Sequence, residues 1–173
     1  DAATRALELG ERLSREDRYL VEGRYHEVYE EWGKAAKIYR KLFEFFPDNL
    51  DYGLRLVRTL IKGGALAEPE ATIVALRSLP PPACDDPHID LLELKLDDWR
   101  GNYQAARLAA QRAIQKGLAQ EAHLLVAEAR TDEAWAWVWL GQPDRGMAAA
   151  EAALEAYTKM KVRPGLGLAL SSI

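Results

Sequence analysis

The side chains most able to ligate a metal or attack a substrate are three histidines, His26, His88 and His123, and one cysteine, Cys84. Cys84, Asp85, Asp86 and His88 fall together and could in principle offer ligands. A zinc site wants several Cys or His ligands at fixed spacing, and the histidines here show none. The cluster is explained as a connector followed by a helix cap, so no metal site is expected. Ser171-Ser172 does not lie in a G-x-S-x-G elbow and no strand precedes it. Gly165-Leu166-Gly167 lacks the strand and the third glycine of a dinucleotide loop. The carboxylate pairs Glu30-Glu31 and Asp97-Asp98 could serve acid–base chemistry, but they sit on polar faces near helix ends and read as solvated surface. No catalytic residue and no cofactor is expected, and the chain is not expected to be an enzyme. The remaining chemistry is recognition, and the tryptophans carry most of it. Trp135, Trp137 and Trp139 share one predicted helix, where about 100° per residue puts Trp135 and Trp139 on one face and Trp137 nearly opposite. One side should pack in the core. The other should face a groove or a neighbouring helix, unless both are core.

Composition limits the function classes. The chain has 173 residues, a formal net charge of −4, 49% hydrophobic and 29% charged residues, which fits a globular protein. The acidic balance argues against a nucleic-acid platform, which carries a basic stripe. No run of about 18 apolar residues is present to insert in a membrane. A single cysteine excludes an internal disulfide framework and a cysteine-built metal site. No signal peptide opens the chain, which starts at Asp1 rather than Met and stops on the apolar run LGLALSSI. A piece of a longer protein is therefore expected.

The elements that position these residues come from a repeat. Turns begin at Glu30, Gly64, Gly101 and Gly141, separated by 34, 37 and 40 residues, each followed by a helix of about four turns. A helix–turn–helix period of 34 is the tetratricopeptide period. Counting Glu16 as position 1, Tyr19, Gly23, Trp32, Ala35, Tyr39 and Pro47 fill positions 4, 8, 17, 20, 24 and 32. Small residues at 8 and 20 let two helices approach, and Pro47 ends the second helix. The second repeat keeps Leu56, Leu60, Gly64, Ile73, Leu76 and Pro81 in frame but has Pro69 where alanine is usual. The third keeps Gly101, Tyr103, Ala106, Ala110 and Ala113, yet holds Asp90 and Glu93 at positions 4 and 7. Its apolar stripe is read as Ile89, Leu92, Leu96 and Trp99. The fourth has Gly146 at position 20 and no closing proline. Ser14 with Asp17, Asp48 or Asn49, and Asp86 before Pro87 supply helix caps. No alternating strand pattern occurs. Helices are expected at 2–13, 15–29, 32–46, 50–62, 69–79, 87–100, 103–116, 119–140, 144–160 and 164–173. The fold predicted is all-α, a tetratricopeptide-like right-handed superhelix of antiparallel helix hairpins. It forms a single repeat domain over 1–173, with a partial repeat 1–13, repeats of about 14–49, 50–86, 87–118 and 119–160, and a partial repeat 161–173. The cut ends should expose apolar faces at Leu7 and Leu9 and at Leu166 to Ile173.

The stretches Val21-Glu22-Gly23-Arg24-Tyr25, Glu31-Trp32-Gly33-Lys34-Ala35 and Phe45-Phe46-Pro47-Asp48-Asn49-Leu50 resemble bacterial tetratricopeptide arrays attached to multidomain regulators. Leu79-Pro80-Pro81-Pro82 before Asp85-Asp86-Pro87-His88-Ile89 is similar. Such arrays follow serine/threonine kinase domains or winged-helix activators of the cadaverine-operon type. The longer later repeats look like those of large transcriptional activators of the maltose-regulon type. The resemblance implies a non-catalytic module that binds a protein or peptide on a concave surface lined by the first helix of each repeat. It points to positions 2, 5, 9, 12 and 13, of which position 9 gives Arg24, Arg58, Lys95 and Trp135, and position 13 gives Val28, Lys62, Trp99 and Trp139. A basic column would suit an extended or acidic segment, since arginine grips carboxylate in a fork; the bland alternative is that these are surface charges paired with Glu27 or Asp51. The implied function is the sensory or interaction arm of a bacterial signalling or transcription regulator. Alternatives are a small-molecule effector sensor lined by Trp99, Trp135 and Trp139, or self-association through exposed end helices. Localisation stays open between the cytoplasm and the far side of a membrane.

Overall fold

A computed structural model describes residues 14–160. The helices expected at 2–13 and 164–173, with their apolar faces and Ser171-Ser172, lie outside the described residues. The chain forms two compact units that part between Cys84 and Asp85. The first contains α1 (Arg15–Val28), α2 (Trp32–Phe45), α3 (Leu50–Lys62) and α4 (Pro69–Arg77). The second contains α5 (Pro87–Trp99), α6 (Tyr103–Ala119), α7 (His123–Trp139) and α8 (Pro143–Met160). Within each unit every helix packs on the next in sequence, and in the second α5 also packs on α7. Short loops make successive helices antiparallel. No strand occurs among the described residues, and no helix there is long and apolar enough to cross a membrane.

The helix starts follow from local chemistry. Ser14 Oγ accepts from the Asp17 amide at 3.1 Å and donates to the Asp17 carboxylate at 2.7 Å. Asn49, rather than Asp48, caps α3 by accepting from the Tyr52 amide at 3.2 Å. Asp86 caps α5 through the His88 amide at 2.8 Å, with Pro87 at the first helical position. The ends share one device. Glu30, Gly64, Gly101, Glu121 and Gly141 all have positive φ, between 56° and 76°. At each, the following amide reaches back five residues: Glu31 to the His26 carbonyl, Ala65 to Leu60, Asn102 to Asp97, Ala122 to Gly117 and Gln142 to Trp137, at 2.8–3.0 Å. These are Schellman turns, which satisfy the carbonyls left open at a helix end.

Two expected boundaries change by more than two residues. A helix over 119–140 is interrupted, because Glu121 takes the left-handed conformation and α7 begins only at His123. No glycine or proline marks that break. Conversely α6 runs through Gly117 to Ala119. A Cβ at Gly117 would meet Val126 Cγ2 at 2.8 Å and Leu125 Cδ2 at 3.0 Å, so this glycine serves the close approach of α6 and α7 rather than a turn.

In the first unit, Ala35, Ala36, Ile38, Tyr39, Leu42, Tyr52, Leu56 and Leu60 form the core. Gly23 faces the Tyr39 ring, where a Cβ would come within 2.8 Å. In the second, Leu91 and Leu94 of α5 pack on Ala109, Ala110 and Ala113 of α6 and on Leu125 and Ala129 of α7. Gly146 fits position 20 of the last repeat because a Cβ there would lie 2.9 Å from the Ala134 carbonyl oxygen. The misfit at Asp90 and Glu93 also has a structural reason. Asp90 is fully buried and accepts from Arg112 Nε at 2.8 Å and Lys116 Nζ at 3.0 Å, while Glu93 takes Arg112 Nη2 at 2.6 Å. An ionic tie between α5 and α6 stands where the repeat pattern places an aromatic and a leucine. Trp99 leaves the apolar stripe: Ile89, Leu92 and Leu96 are buried, but Trp99 is exposed.

Candidate functional site

The helix α7 sorts its tryptophans by face. Trp137 is half-buried, with the guanidinium groups of Arg107 from α6 and Arg145 from α8 each 4.8 Å from its ring centroid. Trp135 and Trp139 lie on the other side, 38% and 63% exposed. The Trp139 ring stacks on Tyr103, at the start of α6, with centroids 5.6 Å apart and planes 12° apart. Trp99, at the end of α5, is 62% exposed.

Lys95 ties α5 to α7. Its ammonium donates to Asp132 at 2.8 Å and pairs with Glu128 at 2.9 Å. Burial pulls its pKa down, but Asp132 and Glu128 outweigh that and hold it above the usual lysine value. The Asp132 carboxyl is pushed up by burial against the pull of Lys95, with Glu128 and Asp98 adding repulsion. Asp98 is also raised by burial, opposed by Lys95. The positive charge expected at Lys95 is therefore compensated on the spot. Sequence reasoning took Asp98 as solvated surface and passed over Glu128 and Asp132, although the spacing of Glu128, Asp132, Trp135 and Trp139 at i, i+4, i+7 and i+11 marks one helix face. Beside Glu128, at the α7 start, lies an open depression of about 460 Å³ lined also by His88, Glu121, His123 and Leu125.

Arg24 and Arg58 are exposed in the first unit, on α1 and α3, and neither makes an ion pair among the described residues. The arginine that pairs with Glu27 and Asp51 is Arg55, at 3.3 Å and 2.7 Å. Tyr52 of α3 donates to Glu16 of α1 at 2.6 Å. Thus Lys95, Trp99, Trp135 and Trp139 share the α5 and α7 pair of the second unit, while Arg24 and Arg58 stand on the first.

Of the residues weighed for metal or acid–base chemistry, His26, Glu31 and His88 have structural partners. His26 Nδ1 is 2.6 Å from Glu31, which Lys34 also contacts at 2.6 Å. The Lys34 hydrogen bond, then that of His26, holds the Glu31 carboxyl below its usual range. His88 Nδ1 lies 2.8 Å from its capping partner Asp86. Among the described residues no group of three or more His, Cys, Asp or Glu is placed to hold a metal.

Neither a protein-family model nor a curated protein sequence matches the chain. A solved structure, that of the MamA protein, is similar with a TM-score of 0.64 over 91% of this chain and 81% of that one, at 18% sequence identity. At that identity the likeness speaks for architecture, and the fold is all-α, of the tetratricopeptide type built from antiparallel helix hairpins.

Proposed function

We propose that this chain is a non-catalytic scaffold that binds a protein or peptide, and that it serves as the sensory or interaction arm of a bacterial signalling or transcription regulator. The observation that carries the reading is the open aromatic face of the second unit, where Trp99, Trp135 and Trp139 stay accessible and Trp139 is fixed by its stack on Tyr103. Large aromatic rings held in place at a surface are the side chains that dominate protein interfaces. Helical-repeat folds bind along such helix faces. Arg24 and Arg58 extend the reading to the first unit, as exposed forks able to take carboxylates. The exposure of Trp99 and Trp139 favours a partner chain over a small effector, which binding sites usually bury by most of its surface.

Selection of displayed random peptides on the full chain tests this. Binders are expected to lose about tenfold or more in affinity when Trp135 and Trp139 are both replaced by alanine, with the helical circular dichroism unchanged. Binders indifferent to both substitutions, or a selection that yields none, would overturn it. Light scattering of the free chain separates self-association from binding of a different partner. The regulator assignment predicts a kinase domain, a winged helix or a membrane span in the flanking sequence.

A further inference from the structure

The aromatic face is also electronegative. Three carboxylates, Asp98, Glu128 and Asp132, share it with one ammonium, that of Lys95. Glu128 and Asp132 both draw on Lys95, and Asp98 makes no side-chain hydrogen bond or ion pair among the described residues. The helix register keeps these groups beside the rings. Lys95, Asp98 and Trp99 follow at i, i+3 and i+4 on α5, and Asp132, Trp135 and Trp139 at i, i+3 and i+7 on α7. The Lys95–Asp132 contact joins the two rows.

We infer that the α5 and α7 face of the second unit docks a cationic segment of a partner protein, a stretch carrying lysine and above all arginine. This rests on the reading of that face as a partner-binding surface and adds the partner's chemistry. A guanidinium can donate a fork of two N–H groups to the Asp98 carboxylate while its plane lies on an indole, a combination an ammonium makes less well. The chain already makes such contacts internally: Arg107 and Arg145 on Trp137, and the Lys62 ammonium 4.5 Å from the Trp32 centroid. An acidic segment would meet like charge from the carboxylates of Asp98, Glu128 and Asp132, of which the one lysine offsets a single charge. The net charge of −4 draws a cationic partner toward the molecule as a whole.

The test uses the full chain and three synthetic peptides of about nine residues, alternating glycine with arginine, with citrulline or with glutamate, followed by tryptophan fluorescence at low salt. The arginine peptide is expected to bind saturably and the other two at least about tenfold more weakly. Asp98→Asn and, separately, Trp139→Ala should each weaken the arginine peptide by about fivefold or more. Lys37→Ala, at an exposed position on α2 of the first unit, should not weaken it. A chain shortened after Met160 should keep the binding; if shortening creates it, Lys161 and Arg163 of the same chain are the occupant and the partner inference falls. Equal binding of the citrulline or glutamate peptide, or indifference to Asp98→Asn, also overturns it. The two readings fail separately: displayed peptides that need Trp135 and Trp139 but carry acidic residues sink the charge inference alone, whereas no tryptophan-dependent binder sinks both.

Discussion

At the scale of single residues, two glutamates stand where the other hairpin turns use glycine. Glu30 and Glu121 have φ of 56°, a conformation that costs an L-residue roughly 1–2 kcal/mol. Glycine meets no such cost there but loses more freedom on folding. Glu30→Gly and Glu121→Gly are each expected to stabilise the chain by about 0.5–1 kcal/mol, read as a higher urea midpoint. An unchanged or lower midpoint would show that the glutamate side chains stabilise their turns. The buried Asp90 makes the opposite case. Asp90→Leu would leave Arg112 and Lys116 without that acceptor, and the loss is expected to be about 2–3 kcal/mol, kept below the fully buried limit because both cations reach solvent. Gly23→Ala should cost about 1–3 kcal/mol, since the added methyl meets the Tyr39 ring.

At the scale of elements, contacts between alternate helices tie their hairpins together through ionisable groups. Tyr52 bonds to Glu16 across α3 and α1, and burial, followed by that carboxylate, pushes its pKa from 10.0 up to about 12. Tyr39 is likewise raised by burial, with Glu27 adding to it. Lys95 between α5 and α7 is raised by Asp132 and Glu128 against the effect of burial. Each of these groups holds its proton more tightly folded than unfolded. Their contribution is therefore complete below the unfolded value and disappears as pH rises through the folded one. Stability is expected to hold up to a pH near the tyrosine reference of 10.0 and to fall toward about 12. Urea titrations across that range check it, and a flat midpoint would contradict the burial of these groups. Tyr52→Phe should reduce the alkaline slope while lowering stability at neutral pH by about 1–2 kcal/mol through the lost charge-assisted bond.

At the scale of the whole molecule, the chain is two compact units, each with its own stacked helices. In stacked helical repeats, stability is a sum of local terms. Asp90→Leu should therefore raise amide exchange first within residues 85–160, and Gly23→Ala first within 14–84. Uniform loss of protection across both ranges would instead mean that the units open together.

What the sequence determined by itself is the class of fold and most of the punctuation. Residues 50–62 form a helix as the spacing predicts, the turns at 30, 64, 101 and 141 fall where the small and polar residues fall, and Ser14, Asn49 and Asp86 cap as their side chains allow. These features are legible because they rest on contacts within a few residues of one another. Tertiary structure decided the rest. Gly117 is read from sequence as the end of a helix, but packing against Val126 and Leu125 gives it a place inside one. Asp90 breaks the repeat pattern until Arg112 and Lys116, on another helix, arrive beside it. Lys95 is a basic groove residue in sequence, and becomes part of an acidic, tryptophan-bearing face only when α7 brings Glu128 and Asp132 within 3 Å. A side chain's type and helix face are local properties, whereas its net charge environment is set by neighbours about 20 to 40 residues away, and no periodicity along one helix contains them.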